Sequence, residues 1–235
     1  MAEQLTGLAG DRFLLGRTST AERVADILRS RISDGYFPPG TRLSEDGIGG
    51  ALGVSRNTLR EAFRLLTHER LLIHELNRGV FVRVLTVEDV EDIYRTRSLV
   101  ECAVVRGLGA PPYRLGGLVS AVEDGRTAAA DHDWKGLATA NIHFHRELVA
   151  LAGSERTDEL MRGVFAELRL AFHVVDDPRG LHEPYLTRNG QILQALQAGN
   201  RAGAERLLET YLADSLERVV AVYQRRVGED PAGSC

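Results

Sequence analysis

Two kinds of hydrophobic spacing, in a fixed order, predict a mainly α fold in two parts. The first is a small module of three helices plus a β-hairpin; the second is an all-α helical bundle. Three observations carry this. Apolar residues recur at helical spacing in segments headed by capping residues. Residues 71–75 and 80–84 form a pair of β-rich runs joined by Asn77-Arg78-Gly79. After Thr86 only helical patterns follow.

Residues 1–17 read as a flexible arm. Ser19-Thr20-Ala21-Glu22 is a capping box, and Val24, Ile27, Leu28 and Ile32 follow at helical spacing. Gly35 and Pro38-Pro39-Gly40 end that helix. Ser44 caps a short second helix running to about Leu52, Gly53 turns the chain, and Ser55 caps a third helix to about Arg70. With the hairpin, residues 18–85 read as a winged helix-turn-helix. Residues 86–227 read as an all-helical domain, with helices at about 87–108, 115–130, 134–152, 155–175, 182–198 and 200–226, and 228–235 as a tail.

Composition narrows the function classes. A chain of 235 residues with 43% hydrophobic and 26% charged residues is an ordinary globular protein. No run approaches the roughly 20 apolar residues that span a bilayer, so no membrane partner is expected. The first residues carry neither a basic segment nor an apolar core, so no signal peptide is expected. Two cysteines, Cys102 and Cys235, suit a reducing cytoplasm. The net charge of −4 is unevenly spread: residues 1–86 hold 12 Arg against 10 Asp and Glu, and the acidic excess lies beyond them. A weakly basic module on an acidic body suits a DNA-binding unit joined to a body that does not bind DNA.

The third helix carries the chemistry of base reading. At about 100° per residue, Leu59, Ala62, Phe63 and Leu66 share one face, while Asn57, Arg60, Arg64 and His68 share the other, with Arg56 at the rim. Arginine bonds guanine in a bidentate manner and asparagine can do so with adenine. Ser55 and Thr58, at the positive helix N-terminus, suit phosphate oxygens or base edges. Arg78 and Gly79 at the hairpin tip are placed to meet a minor groove or a phosphate. The alternative is an ordinary solvated face; the helix-turn-helix spacing and the wing argue against it.

These segments resemble the DNA-binding domain of the GntR family of bacterial regulators. The matching stretches are Pro39-Gly40-Thr41-Arg42-Leu43-Ser44-Glu45, Leu52 through Ala62, and Asn77-Arg78-Gly79-Val80-Phe81-Val82. The helical remainder resembles the FCD effector domain of the FadR-type subfamily. The resemblance implies a homodimer on a palindromic double-stranded operator, controlled by a small effector that is often a carboxylate. It adds Arg42 to the expected DNA contacts. In the second helix, Gly47, Gly49 and Gly50 stand where the family has helix formers, each worth up to about 1 kcal/mol relative to alanine, so this helix is expected to be soft without DNA.

The same resemblance implies a divalent metal held by one Asp and three His. The aligned residues here are Asn141, His145, Asn189 and Tyr211, with His145 the one retained ligand. Amide oxygens and a neutral phenol are poor ligands for a transition metal, so no metal or other cofactor is expected beyond a weak divalent ion. His143 cannot help, since it stands roughly 200° around the helix from Asn141. What remains is a polar cluster in an apolar bundle, either self-satisfied or completed by a ligand. Arg97 matches an arginine that the family points at its pocket; it can bind a carboxylate or pair with Glu101 one turn on. A metal-dependent sensor is one alternative. An enzyme using His145 or His143 as base is another, and it is disfavoured because no nucleophile elbow, phosphate-cradling loop or carboxylate beside these histidines is expected.

Overall fold

The computed structural model describes residues 19–175 and 177–229. The arm at 1–17 lies outside the described residues, as does Cys235. The element order is α1 Thr20–Ser33, β1 Arg42–Leu43, α2 Glu45–Leu52, α3 Arg56–His68, β2 Leu72–Glu75, β3 Gly79–Val82, α4 Val87–Gly107, α5 Gly116–Ala130, α6 Trp134–Ala150, α7 Glu155–Phe172, α8 Pro178–Gln197 and α9 Arg201–Glu229. Among the described residues no helix is long and apolar enough to cross a membrane.

The first part is the winged helix-turn-helix. Ser19 and Glu22 close a capping box on α1. Val24, Leu28 and Ile32 of α1 and Leu59, Phe63 and Leu66 of α3 are buried in one core with Leu72, Val80 and Val82 of the wing. The sheet has order β1-β3-β2, all antiparallel, with Leu72 opposite Val82 and Leu43 opposite Val80. Strand β1 was not legible in the sequence, because two residues between a Pro-Pro-Gly break and a capping serine are too few to show alternation. The three glycines do not prevent α2 from forming, since Ser44 caps its start and Gly53, at φ 64, closes its end in the left-handed region. Gly49 is also a packing residue: a Cβ there would stand 3.5 Å from the Val54 carbonyl oxygen.

The second part is the helical bundle, in which α5 packs on α6, α4 on α9, and α8 on both α6 and α9. Its buried residues include Phe144, Leu148, Met161, Leu168, Leu208 and Val219. Two boundaries differ from expectation. Helix α8 starts at Pro178 rather than near 182, because Asp177 caps it through the Gly180 N–H and Pro178 fills the first turn, where its missing N–H does no harm. Asp177-Pro178 thus opens a helix where the expected spans, 155–175 and 182–198, left a break. Helix α9 runs to Glu229, so the tail expected from 228 begins inside it.

Polar contacts join the two parts. Arg83, leaving the wing, bonds Asp89 at 2.5 Å and Glu167 of α7 at 3.1 Å. The Ser33 carbonyl at the end of α1 accepts from Arg169 Nε at 3.2 Å and lies 3.0 Å from His173 Nε2.

Candidate nucleic-acid interface and buried polar core

Helix α3 divides its residues as its periodicity demands. Leu59, Ala62, Phe63 and Leu66 are buried, while Arg56, Asn57, Arg60, Arg64 and His68 are exposed. Ser55 accepts the Thr58 N–H at 3.1 Å and lies 2.8 Å from the Thr58 hydroxyl, which fixes the helix N-terminus toward solvent. A cleft of about 450 Å³ runs between this end, the start of α2 and the wing, and Arg42, Arg56, Arg60 and Gly79 line it. Gly79, at φ 111, is needed twice over: its backbone lies in the left-handed half of φ, and a Cβ there would meet Arg42 Nε at 3.3 Å. Arg78 lies over the Phe81 ring and pairs with Glu75. The expected DNA contacts Arg42, Ser55, Arg56, Asn57, Thr58, Arg60, Arg78 and Gly79 thus gather at one end of the module, with Arg64 two turns further along α3.

The sequence reading missed who holds these arginines. Arg60 pairs with Glu45 at 2.9 Å and Arg56 with Asp46 at 3.0 Å, both acids lying in the first turn of α2. Arg64 pairs with Glu61 at 3.2 Å. All three guanidiniums are more than 60% exposed, so these are weak, screened pairs that a phosphate or base edge can displace. The visible signal was the acidic pair following the Ser44 cap, as helix dipoles favour.

The bundle brings Asn141, His145, Asn189 and Tyr211 together in its buried interior. The Asn141 Oδ1 atom accepts from Asn189 Nδ2 at 2.7 Å and from the Tyr211 hydroxyl at 2.9 Å. The Tyr211 ring stands 4.7 Å from both the His145 and Tyr185 rings. Arg97 pairs with Glu101 through Nε at 2.8 Å. Its guanidinium is stacked between Tyr94 and Phe165, 5.0 and 5.7 Å from the ring centres.

One expectation is overturned. A carboxylate does stand beside each histidine: Glu101 Oε2 is 2.6 Å from His145 Nδ1, and Glu147 Oε1 is 3.4 Å from His143 Nε2. Glu101 lies 44 residues from His145 on another helix, so no local pattern reveals the pair. Burial alone would raise the Glu101 carboxyl, but Arg97 and His145 outweigh it and hold the group below its ordinary range. Burial lowers the His145 pKa, and the Arg97 charge adds to the effect while Glu101 opposes it.

The donors do not fit the metal that the resemblance implied. The Asn141 oxygen already accepts two hydrogen bonds and His145 Nδ1 is held by Glu101, leaving Nε2 as a lone imidazole nitrogen. Among the described residues no group of three or more His, Cys, Asp or Glu is arranged to share an ion. Five buried polar atoms here do lack a hydrogen-bond partner: Arg97 Nη2, His145 Nε2, Tyr185 Oη, Arg188 Nη1 and Asn189 Oδ1. Tyr185 and Arg188 escaped the sequence reading, because only the packing of α8 on α9 sets the Tyr185 ring beside Tyr211, with the Arg188 guanidinium over Tyr185.

Comparison with known proteins matches both parts. Residues 20–82 match the profile of bacterial regulatory proteins of the gntR family, and residues 92–214 match the FCD domain. A crystal structure of a GntR transcriptional regulator from Rhodococcus sp. RHA1 is 51% identical with a TM-score of 0.85, over 88% of this chain and all of that one. The "Probable D-xylose utilization operon transcriptional repressor" of Paenarthrobacter nicotinovorans is 28% identical over 207 residues, 85% of this chain and 88% of its own. The gluconate operon transcriptional repressor of Bacillus licheniformis is 39% identical over 95 residues, 40% of this chain and 39% of its own.

Proposed function

The chain belongs to the GntR family of bacterial regulatory proteins and carries its FCD domain, and from that premise we propose a cytoplasmic homodimeric repressor that a small hydroxylated carboxylate controls without a resident metal. That it is a DNA-binding transcriptional regulator of the ligand-responsive kind follows from the family and from relatives named as repressors.

In this reading Arg56, Asn57 and Arg60 enter the major groove of each half of a palindrome. Ser55, Thr58 and Arg64 hold phosphates, and Arg42, Arg78 and Gly79 carry the wing against the duplex. A twofold dimer matches a twofold operator.

The observation that carries the effector reading is the set of five buried polar atoms without a hydrogen-bond partner on Arg97, His145, Tyr185, Arg188 and Asn189, the Arg188 group being also paired with Asp214 through Nη2 at 2.5 Å. Buried polar groups are normally paired, and leaving one unpaired costs about 1–3 kcal/mol. Arg97 Nη2, Arg188 Nη1 and Tyr185 Oη are donors suited to a carboxylate, and Asn189 Oδ1 is an acceptor suited to a hydroxyl. Gluconate, the compound for whose operon one relative is named, has this chemistry. Asn141, His145 and Tyr211 frame the site, and His145 offers Nε2. The protein acts by binding rather than turnover.

A thermal-shift screen of the full chain with hydroxylated carboxylates tests this, because a ligand of the folded state raises its stability. The expected result is a saturable rise that Tyr211→Phe reduces, with altered binding to promoter DNA and no stoichiometric metal by elemental analysis. If no carboxylate both raises the transition and changes duplex binding, the reading fails.

A further inference from the structure

A second cleft, of about 570 Å³, lies between the DNA-binding module and the bundle. Arg29 of α1, Arg146 of α6, and Arg162 and Arg169 of α7 line it. Its acidic lining residues are Asp34 and Asp124, and its apolar wall includes Ile142, Phe165 and Ala166. The four arginines differ in how their charge is met. Arg29 is neutralised by Glu69 at 2.6 Å and by Asp26. Arg169 gives its hydrogen bonds to neutral acceptors, the Ser33 carbonyl at 3.2 Å and the Thr139 hydroxyl at 2.7 Å. Among the described residues Arg146 and Arg162 have neither a hydrogen bond nor an ion pair. Three guanidiniums that no carboxylate hydrogen-bonds therefore line one cleft from two helices, Asp34 acting on Arg169 only through space. Such like charges repel unless an anion joins them, and a guanidinium fork matches phosphate oxygens.

From this convergence we propose that the interdomain cleft is a second ligand site, distinct from the bundle core, which takes a small organic phosphate. The phosphate sits between Arg146, Arg162 and Arg169, and the organic part lies along Ile142, Phe165 and Ala166. The volume is ample for a metabolite. The position gives binding a regulatory consequence. Arg169 is also the donor that holds the Ser33 carbonyl at the end of α1, so an anion that draws on Arg169 alters the junction of the two domains. Phe165 forms part of the cleft wall while its ring lies 5.7 Å from the Arg97 guanidinium, so one side chain is shared by the cleft and the bundle core.

Calorimetric titration of the full chain with phenyl phosphate and inorganic phosphate tests the site, with benzoate and chloride at matched ionic strength as the other arms. The expected result is saturable binding of phenyl phosphate at one site per chain, and weaker saturable binding of inorganic phosphate. The double variant Arg146→Ala/Arg162→Ala, whose side chains are exposed and whose fold circular dichroism checks, should weaken phenyl phosphate binding about tenfold or more. Tyr211→Phe should retain it, even where that variant loses the response to carboxylates. The proposal is overturned if phosphate gives no more heat than chloride, if benzoate competes equally, or if Tyr211→Phe abolishes binding. It is also overturned if the double variant loses duplex binding in phosphate-free buffer, which would make the cleft a DNA contact.

Discussion

Arg60 of the recognition helix and Arg97 of the bundle each pair with a glutamate, at 2.9 and 2.8 Å, in opposite environments. The Arg60 side chain is 64% exposed and Glu45 33%, whereas Arg97 is 2% exposed and Glu101 not at all. Water screens the first pair, so it contributes about 0–1 kcal/mol and can be exchanged for DNA at little cost. The second pair has no water to fall back on, and removing one partner strands a buried charge. The same two residue types therefore give a surface ready to change partners and a core that cannot.

The largest test of that contrast is Glu101→Gln. It should lower the unfolding free energy of the chain by about 3–5 kcal/mol in urea titrations, against under about 1 kcal/mol for Glu45→Gln. Equal losses would remove the distinction. The pH response sharpens it next. Burial pushes the His182 pKa down from 6.5 to about 4, and the Arg169 charge adds to the effect. The unfolded chain thus binds the proton first as pH falls. Stability is complete above about pH 6.5 and declines down to about pH 4, by up to about 3 kcal/mol from this residue. Unfolding titrations at pH 7.5 and 4.5 check this, and His182→Leu should flatten the profile.

For DNA the order reverses, with the exposed pair mattering most. Arg60→Ala should weaken operator binding by about 1–3 kcal/mol and relax preference at one base, while leaving stability within about 1 kcal/mol. Equal weakening on random duplex would mean that Arg60 touches phosphate alone. The smallest effect concerns α2. A Cβ at Gly50 would meet nothing within 4 Å, so Gly50→Ala should add up to about 1 kcal/mol in thermal unfolding.

The DNA-binding module was legible because its determinants are local. Ser19, Ser44 and Ser55 cap helices three residues ahead of the N–H groups they accept, and the α3 arginines and leucines sort by a single turn angle. The bundle core was half legible. The i,i+4 spacing put Asn141 and His145 on one helix face, and family resemblance added Asn189 and Tyr211. Glu101 beside His145, Tyr185 between Tyr211 and Arg188, and the arginine-lined interdomain cleft left no local trace, since each joins segments dozens of residues apart.

The sequence by itself determined where the three capped helices of the DNA-binding module start, which face of α3 is apolar, and that the residues aligned with the family's metal ligands are poor metal donors. These follow from capping, periodicity and donor chemistry, which act within a few residues. Tertiary structure alone decided which charges are screened and which are stranded. Burial and partner choice depend on how α4, α6, α8 and α9 pack, and chain order does not encode that contact directly.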